Sequence, residues 1–436
     1  MTDPHRWRSL AILVAGYASF IVGNYGINVL LEPIKRAFNL TDGMAGAIPG
    51  VSVTAAYVLF SFPAGLAVDR MQRRGLLAAS LTLSGLGTIA SSFTGSMGSL
   101  LAARFAIGAA QTPCSPAASS MISDLFPPAQ RSTAFGLYFL ASPIGLVLGF
   151  LPTALIAQAY GWRAALFVSG LPCLAMVLLL LVFVKEPVRG GAETAARAGV
   201  ARRDAPGLWT TLHSIGRRPA LQSLIAALTL TTVSSGAFFS WLPALYIRAY
   251  GMRLAWVGPA MALGIGICGG LGAFCGGVMA DRLGRRDVRH KTRLPACASA
   301  AALLAAAAMV TAPNVYVSVA CMGAWAFSFN LQIPASYDLC QGLSPVRSRG
   351  TTVALLSVLM MLGSAAVGPQ VTGLLSQALT PLYGAQSLRR ALLFAAAINV
   401  PVILLFARAG RTVVLDLAHA ERADMVPGEA PSTPGR

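Results

Sequence analysis

The sequence predicts an all-α membrane protein with about twelve transmembrane helices in two six-helix bundles and both termini in the cytoplasm. Hydrophobic residues make up 56% of the 436 residues, charged residues make up 11%, and the mean hydropathy is +0.67. A helix that crosses the hydrocarbon core needs about 20 apolar residues, and apolar runs of that length fill most of the chain. The strands of a membrane barrel would alternate in polarity over about 10 residues, and this sequence shows no such alternation.

Charged residues, Pro or Gly bound each predicted helix. The longest polar stretch, 185–220, lies between the sixth and seventh helices and is interpreted as a cytoplasmic linker between the bundles 1–184 and 221–407. The segment 408–436 contains Pro, Gly and Glu without a periodic apolar face, which predicts a disordered cytoplasmic tail. The predicted helices span 9–31, 43–68, 76–96, 99–122, 133–157, 163–184, 221–247, 254–280, 294–313, 315–340, 351–378 and 389–407.

The positions of Lys and Arg predict the orientation, because cytoplasmic loops carry an excess of both. Most of the 33 Lys and Arg residues lie on the side of the termini and the linker, which is therefore the cytoplasmic side. The net charge of +18 belongs to these short loops and not to an aromatic-interleaved face, so no nucleic-acid partner is expected. Arg104 lies within a span, and the opposite side holds Lys35, Arg36, Arg163, Arg248, Arg253, Arg389 and Arg390.

The start of the chain and the cysteines give no sign of processing or of a metal site. The short charged start precedes an apolar run without a small-residue cleavage site, so a retained first span is expected. The seven cysteines lie in or beside apolar runs without a C-x-x-C pair. They are interpreted as small core residues and not as a disulfide or metal framework.

A ten-residue sequence occurs twice, about half the chain length apart. The stretch from Gly65 to Arg74 ends an apolar run and begins a basic turn, and a near copy runs from Gly277 to Arg286. Chance is one explanation, since Gly and Arg are common here, but five identical positions at one offset favour a duplicated half. The Arg residues fit a topology signal, whereas the Asp in each copy does not, because acids contribute little to orientation.

These paired loops resemble the signature G-x-x-x-D-R-x-G-R-R of the major facilitator superfamily, although Gln72 replaces Gly in the first copy. The resemblance covers the whole chain and implies alternating access, in which two bundles rock about a central site. In that family the Asp and its neighbouring Arg residues make ionic contacts that lock the outward-facing state. The resemblance therefore implies a gating role for Gly65, Asp69, Arg70, Arg73, Arg74, Gly277, Asp281, Arg282, Arg285 and Arg286.

Several further elements are similar to bacterial spinster-like transporters, which implies a multi-pass protein of a bacterial inner membrane. Organic-anion symporters of the anion:cation symporter group share several of them, so both branches stay open. The elements are Glu32-Pro33-Ile34-Lys35, Arg104-Phe105-Ala106-Ile107-Gly108, the stretch 116–128, Gly161-Trp162-Arg163 and Lys185-Glu186-Pro187.

Acids are absent from the predicted membrane interior. All fifteen Asp and Glu residues and all four His residues lie in predicted loops, tails or helix ends. Proton-coupled carriers generally place such a group where the cavity can wet it. Spinster-like proteins usually carry Asp-Arg where this chain has Gly23-Asn24, and Glu where it has Gln111. A neutral amide cannot release a proton, so transport without a membrane-embedded proton-coupling acid is expected.

In the superfamily the first, fourth, seventh and tenth helices line the cavity. Arg104 either attracts or gates an anion, or bonds neighbouring backbone and amide groups as a structural residue. Interhelical bonding is the alternative for each polar candidate. The candidates for the substrate cavity are Asn24, Asn28, Arg104, Gln111, Ser235, Phe239, Trp241, Trp325, Asn330 and Gln332.

Two local features concern helix geometry. Pro113 and Pro116 are expected to loosen the fourth helix. The glycine run 264–277 mimics the spacing of nucleotide-binding loops, but it lies in an apolar helix with no preceding strand, so it predicts close helix packing.

The leading hypothesis is a secondary active or facilitative transporter that moves a small amphipathic or organic-anionic solute by alternating access. A non-transporting membrane sensor or scaffold is the first alternative, and a proton-coupled organic anion symporter is the second. The loops and helices contain no nucleophile–base or metal constellation, so no enzyme, cofactor or metal is expected. The expected partners are a small-molecule substrate and the lipid bilayer, and the protein is expected to be a monomer.

Overall fold

A computed structural model of the chain describes residues 5–187, 213, 215, 216, 218–284, 288–344 and 349–424. Within these ranges the chain is helical, without strands. The helices are α1 (Arg6–Val29), α2 (Leu31–Ala37), α3 (Asp42–Ala45), α4 (Val51–Arg70), α5 (Arg73–Ser92), α6 (Met97–Gln111), α7 (Cys114–Leu125), α8 (Pro128–Phe139), α9 (Ala141–Phe183), α10 (Pro219–Tyr250), α11 (Leu254–Met261), α12 (Gly269–Gly284), α13 (Val288–Thr311), α14 (Val315–Leu343), α15 (Arg349–Met361), α16 (Gly368–Tyr383), α17 (Ser387–Ala397) and α18 (Asn399–Asp424).

Seven helical stretches of the described chain are long and apolar enough to cross a membrane. Two of them, Thr133–Phe183 with 51 residues and Thr351–Val413 with 63 residues, are much longer than one crossing needs. The first covers the predicted fifth and sixth helices. At Gly161 the backbone has a φ of 85°, a conformation that favours glycine. The helix therefore breaks at Gly161, and the two predicted helices meet there without a loop.

Other predicted helices are interrupted at sites that the sequence explains only in part. The fourth predicted helix is divided into α6 and α7 at Thr112 and Pro113, which confirms the expected loosening. The eighth and eleventh contain π-helical turns at Ala262–Cys268 and Leu362–Val367. Such turns are wider than an α-helix and occur often at functional sites.

The last predicted helix ends too early in the sequence. Helix α18 continues to Asp424, and Ala409 and Val413 are fully buried against the C-terminal helices. A disordered tail that begins at residue 408 is therefore wrong, because apolar residues after 408 still pack into a core. Residues 425–436 lie outside the described ranges.

The glycine run packs helix α12 closely against α14, as predicted. A Cβ atom on Gly272 would lie 2.2 Å from the carbonyl oxygen of Phe327, and one on Gly276 would lie 2.2 Å from that of Leu331. Glycine is required at both positions because the two backbones leave no room for a side chain.

The hydrophobic core is arranged differently at the two ends of the molecule. One large cluster joins the N-terminal helices α1–α9 to the C-terminal helices α10–α18, with Ile27 and Leu30 packed in the same cluster as Trp241, Leu245 and Trp325. This end, where α1 passes into α2 and α3, is called the latch end. At the opposite end, called the motif end because it carries the repeated motif, the main clusters are separate.

The motif-end clusters each contain helices from one side only. One cluster includes Leu10, Leu77 and Phe126 of the N-terminal helices. Another includes Leu224 and Leu343 of the C-terminal helices. The two sets of helices therefore share a core at the latch end and keep their own cores at the motif end.

Candidate functional site

An arginine of the C-terminal helices binds two acids of the N-terminal helices at the latch end. The Arg248 Nε and Nη2 atoms donate to Glu32 Oε2 at 2.8 and 2.6 Å. Its Nη1 and Nη2 atoms donate to Asp42 Oδ2 and Oδ1, both at 2.9 Å. Glu32 and Asp42 are only 5% and 6% exposed. We call this group the latch, and Glu32 with Asp42 the acid pair.

Asp42 has further partners on both sides of the contact. Lys35 Nζ lies 2.5 Å from Asp42 Oδ1, and Ser376 Oγ donates to Asp42 Oδ2 at 2.7 Å. Burial raises the pKa of the Asp42 carboxyl, but the hydrogen bonds and charge of Arg248, with the hydrogen bonds of Lys35 and Ser376, outweigh burial and lower the pKa to about 2. Asp42 is therefore an anion at every physiological pH.

Hydrogen bonds between uncharged groups also join the two sets of helices beside the latch. Gly43 N donates to Gln377 Oε1 at 3.1 Å, and Gln370 Nε2 donates to Gly43 O at 3.0 Å. A Cβ atom on Gly50 would lie 2.3 Å from the Ala365 carbonyl oxygen, so the two backbones touch there. The segment after α2 is thus bonded to α16 and the π-helical turn before it.

Two amide side chains of the N-terminal helices pair at a deeper level. Asn24 Nδ2 donates to Gln111 Oε1 at 2.5 Å, which joins α1 to the end of α6. The Oδ1 atoms of Asn24 and Asn28 are buried without a hydrogen-bond partner. In the resemblance to spinster-like proteins, Gly23-Asn24 aligns with an Asp-Arg pair and Gln111 aligns with a Glu. Asn24 therefore stands where those proteins have Arg, and Gln111 where they have Glu. The structure brings these two positions together, and we call them the amide pair.

An aromatic group of the C-terminal helices lies next to the amide pair. The ring centroids of Tyr25 and Phe239 are 6.1 Å apart across the boundary between α1 and α10. Phe239 also contacts Trp325 and Phe329, whose rings stack with a centroid distance of 5.9 Å. Tyr25 follows Asn24 directly in α1. The amide pair and the aromatic rings therefore lie at the same level of α1.

The other predicted cavity residues make contacts between or within helices. Arg104 is buried and donates to the Pro49 carbonyl oxygen at 2.7 Å. Asn330 Nδ2 donates to the Ala326 carbonyl oxygen within α14 at 2.9 Å. A Cβ atom on Gly269 would lie 2.9 Å from that Nδ2 atom, so Asn330 also packs on α12.

The remaining three candidates are fully or almost fully buried. Gln332 Oε1 accepts from Ser299 Oγ at 2.7 Å. Ser235 Oγ donates within α10 to the Thr232 carbonyl oxygen at 3.1 Å. Trp241 Nε1 donates to the Pro369 carbonyl oxygen at 2.9 Å, which places this residue beside the latch. Gln332 and Trp241 therefore bond between helices, whereas Ser235 bonds within one.

The first copy of the repeated motif binds within the N-terminal helices. Arg73 is 1% exposed, donates to Glu186 Oε1 at 2.9 Å and also bonds Asp124. Glu186 accepts from the backbone N–H of Arg74 at 2.7 Å, and the Arg74 side chain bonds Leu181 O. Arg70 is exposed. The described motif arginines therefore fasten α5 to the ends of α7 and α9.

The predicted gating acids lie outside what the structure describes. The side chains of Asp69 and Asp281 are not described, and neither are the motif arginines at 285 and 286, so the gating role of these four residues stays a prediction. Arg282 is exposed, and a Cβ atom on Gly65 or Gly277 would meet nothing within 4 Å. Among the described residues, no three His, Cys, Asp or Glu side chains form a metal site.

The latch was missed by the sequence interpretation, which assigned its residues to loops and helix ends. Glu32 and Asp42 lie 216 and 206 residues from Arg248 in the chain. One usable signal was the scarcity of charge on the side opposite the termini. Acids on a surface with few basic residues are candidates for pairing, but the partner is not visible without the fold.

A family model described as Major Facilitator Superfamily matches residues 13–369, which is most of the chain. The chain belongs to this superfamily. It is therefore a multi-pass membrane transporter and not an enzyme, and the resemblance derived from the paired loops is confirmed.

Similar proteins place the chain within the superfamily. An MFS-type efflux pump of Mycolicibacterium smegmatis is 30% identical over 395 residues, which cover 89% of this chain and 88% of that protein. Protein spinster homolog 1 of Mus musculus is 29% identical over 249 residues, which cover 55% of this chain and 46% of that protein. The match thus spans less than half of the mouse protein.

A solved structure shares the fold. The crystal structure of a bacterial homologue of the human lysosomal transporter Spinster, in an inward-facing and unoccupied conformation, has a TM-score of 0.84 with 20% sequence identity. It covers 95% of this chain and 99% of that chain. The predicted resemblance to spinster-like transporters is confirmed.

Proposed function

We propose that this superfamily member spans a bacterial inner membrane twelve times, as two six-helix bundles, 1–184 and 221–407, with both termini in the cytoplasm. The distribution of Lys and Arg supports this orientation, because the motif end carries most of the basic residues. The latch end then faces the outside and the motif end faces the cytoplasm. The protein works as a monomer in this arrangement.

The described conformation is closed to the outside in this orientation. The latch and the shared hydrophobic cluster join the two bundles at the external end, whereas their main cytoplasmic cores are separate. The solved bacterial spinster homologue is described as inward-facing and unoccupied. We assign the same state to this chain, and alternating access then requires the external end to open in turn.

The observation that carries the substrate proposal is that amide groups and aromatic rings lie at the same level of α1, where Tyr25 packs against Phe239. The amide pair and Asn28 supply neutral hydrogen-bonding groups, and the half-buried rings of Phe239 and Phe329 supply an apolar surface that packs on the buried Trp325. Ligand sites combine such an apolar lining with a few placed polar groups. This combination supports a small amphipathic solute, including an amphipathic organic anion.

The amide pair also supports transport without a membrane-embedded proton-coupling acid. Asn24 donates one hydrogen bond to Gln111, and neither side chain carries a titratable proton. We propose that the solute moves by uniport, or with an ion or counter-solute that titrates no group in the membrane. Where the spinster-like pattern has an Asp-Arg pair and a Glu, this chain has Gly23, Asn24 and Gln111, and none of these residues has a side chain that titrates.

Flux into proteoliposomes tests the proposal. The purified protein is reconstituted and offered a panel of labelled lysolipids, amphipathic organic anions, sugars and peptides. We expect flux of one or more amphipathic solutes and none of the sugars or peptides. A Phe239→Ala variant is expected to slow this flux, whereas Phe394→Ala, which removes an exposed aromatic ring from α17, is the matched control.

The possible results separate the candidate functions. A folded protein that moves no member of the panel points to a sensor or scaffold. Flux of organic anions that collapses with the proton gradient points to a proton-coupled symporter of the anion:cation symporter type. Flux of sugars that equals that of amphipathic solutes would contradict the substrate proposal.

A further inference from the structure

The ion pairs of the described residues cross between the two sets of helices only at Arg248. The pairs Lys35–Asp42, Arg36–Glu32, Arg73–Asp124 and Arg73–Glu186 stay within the N-terminal helices, and Lys291–Asp338 stays within the C-terminal helices. The pairs of Arg248 with Glu32 and Asp42 join the two sets. One guanidinium therefore carries the whole ionic link across the latch end in the described chain.

The acid pair needs that guanidinium while it is buried. A single atom, Arg248 Nη2, binds one oxygen of Glu32 at 2.6 Å and one of Asp42 at 2.9 Å. The two carboxylates are therefore held close together in a site that excludes most water. Like charges at this spacing repel, and a buried charge without a partner is strongly unfavourable.

Opening would separate the two sets of helices without removing every partner of these groups. Lys35 and Arg36 belong to the same short segment as the acid pair, so they remain beside Asp42 and Glu32. On the other side, the Arg248 guanidinium lies over the Trp241 ring of its own helix, 5.8 Å from the centroid. This cation–π contact remains with Arg248 when the helices part.

We propose that Arg248 and the acid pair form an electrostatic latch, in which charge matching across the seam holds the external end closed. Closure needs either all three charges or none of them. Without Arg248, the two buried acids share only Lys35 and the exposed Arg36, and without the acids the Arg248 guanidinium loses both of its carboxylates. The inference rests on the proposed alternating access and specifies which residues set its resting state. Ser376, Gln370 and Gln377 assist closure through neutral hydrogen bonds.

Pulsed electron resonance distances test the latch without any substrate. Spin labels are attached to genetically encoded side chains at Gly95 and Tyr316, which are exposed and belong to different sets of helices. This labelling leaves the seven native cysteines in place. We expect the native protein to give the shorter distance and Arg248→Ala to raise the population of the longer one about 30-fold or more. Arg253→Ala, an exposed arginine five residues later, is the control and keeps the shorter distance.

The reverse substitutions distinguish charge matching from simple loss of contacts. The double variant Glu32→Gln with Asp42→Asn leaves Arg248 without its acids and is expected to open the external end as well. Combining all three substitutions removes every charge of the latch and should restore the shorter distance. A triple variant as open as Arg248→Ala, or single variants that stay closed, would overturn the proposal.

The flux measurement keeps this inference separate from the proposed function. Variants that open as expected in a protein without flux would leave the latch standing and refute transport. Normal flux with no change of distance in any variant would support transport and refute the latch. Size-exclusion profiles and thermal unfolding of each variant establish that the measured molecules are folded.

Discussion

Replacing Asn24 by Asp is expected to give this transporter a dependence on the pH gradient that the native protein lacks. In the native protein the Asn24 amide donates to Gln111 Oε1 at 2.5 Å, so neither partner can titrate. In the Asn24→Asp variant, the protonated carboxyl group would still donate to Gln111. The ionised carboxylate would accept from the Gln111 amide after that side chain rotates. Both protonation states can therefore be hydrogen-bonded, so the variant carboxyl group can bind and release a proton within one transport cycle.

The magnitude follows from one proton exchanged per cycle. One pH unit across the membrane is worth about 1.4 kcal/mol, or about tenfold accumulation of the solute. The Asn24→Asp variant should approach this slope, and the native protein should show none. Asn24→Leu removes the amide without adding a titratable group. It should lose only the interhelical bond, worth about 0.6–1.7 kcal/mol in membrane proteins, and stay independent of pH.

Steady-state accumulation in proteoliposomes measures this slope. The solute with the largest flux in the panel is offered at imposed gradients of zero, one and two pH units, with the membrane potential clamped. Native protein that accumulates solute about tenfold per pH unit would refute the reasoning. So would a folded and active Asn24→Asp variant whose accumulation ignores the gradient.

Three further predictions address the latch, the glycine contact and the motif arginine. Because the pKa of Asp42 is lowered to about 2, its stabilising charge is complete above the ordinary value near 4 and is lost only as the pH falls through about 2. Distances across the latch end should therefore not change between pH 8 and pH 5, and an opening transition in that range would contradict this assignment. Gly272→Ala should destabilise the protein by about 1–3 kcal/mol through overpacking. A Cβ atom on Gly277 meets nothing within 4 Å, so Gly277→Ala should have the same unfolding temperature as the native protein. Equal thermal shifts of the two variants would count against the close contact. Arg73→Ala removes the buried guanidinium that Asp124 and Glu186 share and should destabilise the protein by about 1.5–3 kcal/mol. This loss is measured as a lower unfolding temperature, whereas exposed Arg70→Ala should have little effect.

The fold class followed from local properties of the chain. Apolar runs of about 20 residues predict membrane helices because backbone polar groups must be satisfied within each helix in lipid. The breaks at Pro113 and Gly161 also have local causes, namely a missing N–H donor and a backbone conformation that favours glycine. The end of α18 did not follow, since Ala409 and Val413 are buried only because other helices cover them.

The candidate site was predictable where it depended on which residues are absent. The lack of acids in the apolar runs is visible in the sequence. So are the neutral residues Gly23 and Gln111 at the two positions that carry acids in spinster-like proteins, with Asn24 beside the first of them. Their hydrogen bond required the packing of α1 against α6. The interhelical contacts of Asn330 and Gln332 likewise depend on neighbours that sequence spacing does not identify.

Composition and short-range pattern were enough to predict the membrane helices, the family and the lack of acids in the membrane interior. The meeting of Glu32 and Asp42 with Arg248 depended on the fold, since more than 200 residues separate the partners in the chain. The fold also decided that the molecule shares a core at one end only. An ion pair and a shared core are both relations between helices, and their strength depends on a burial that no single segment carries.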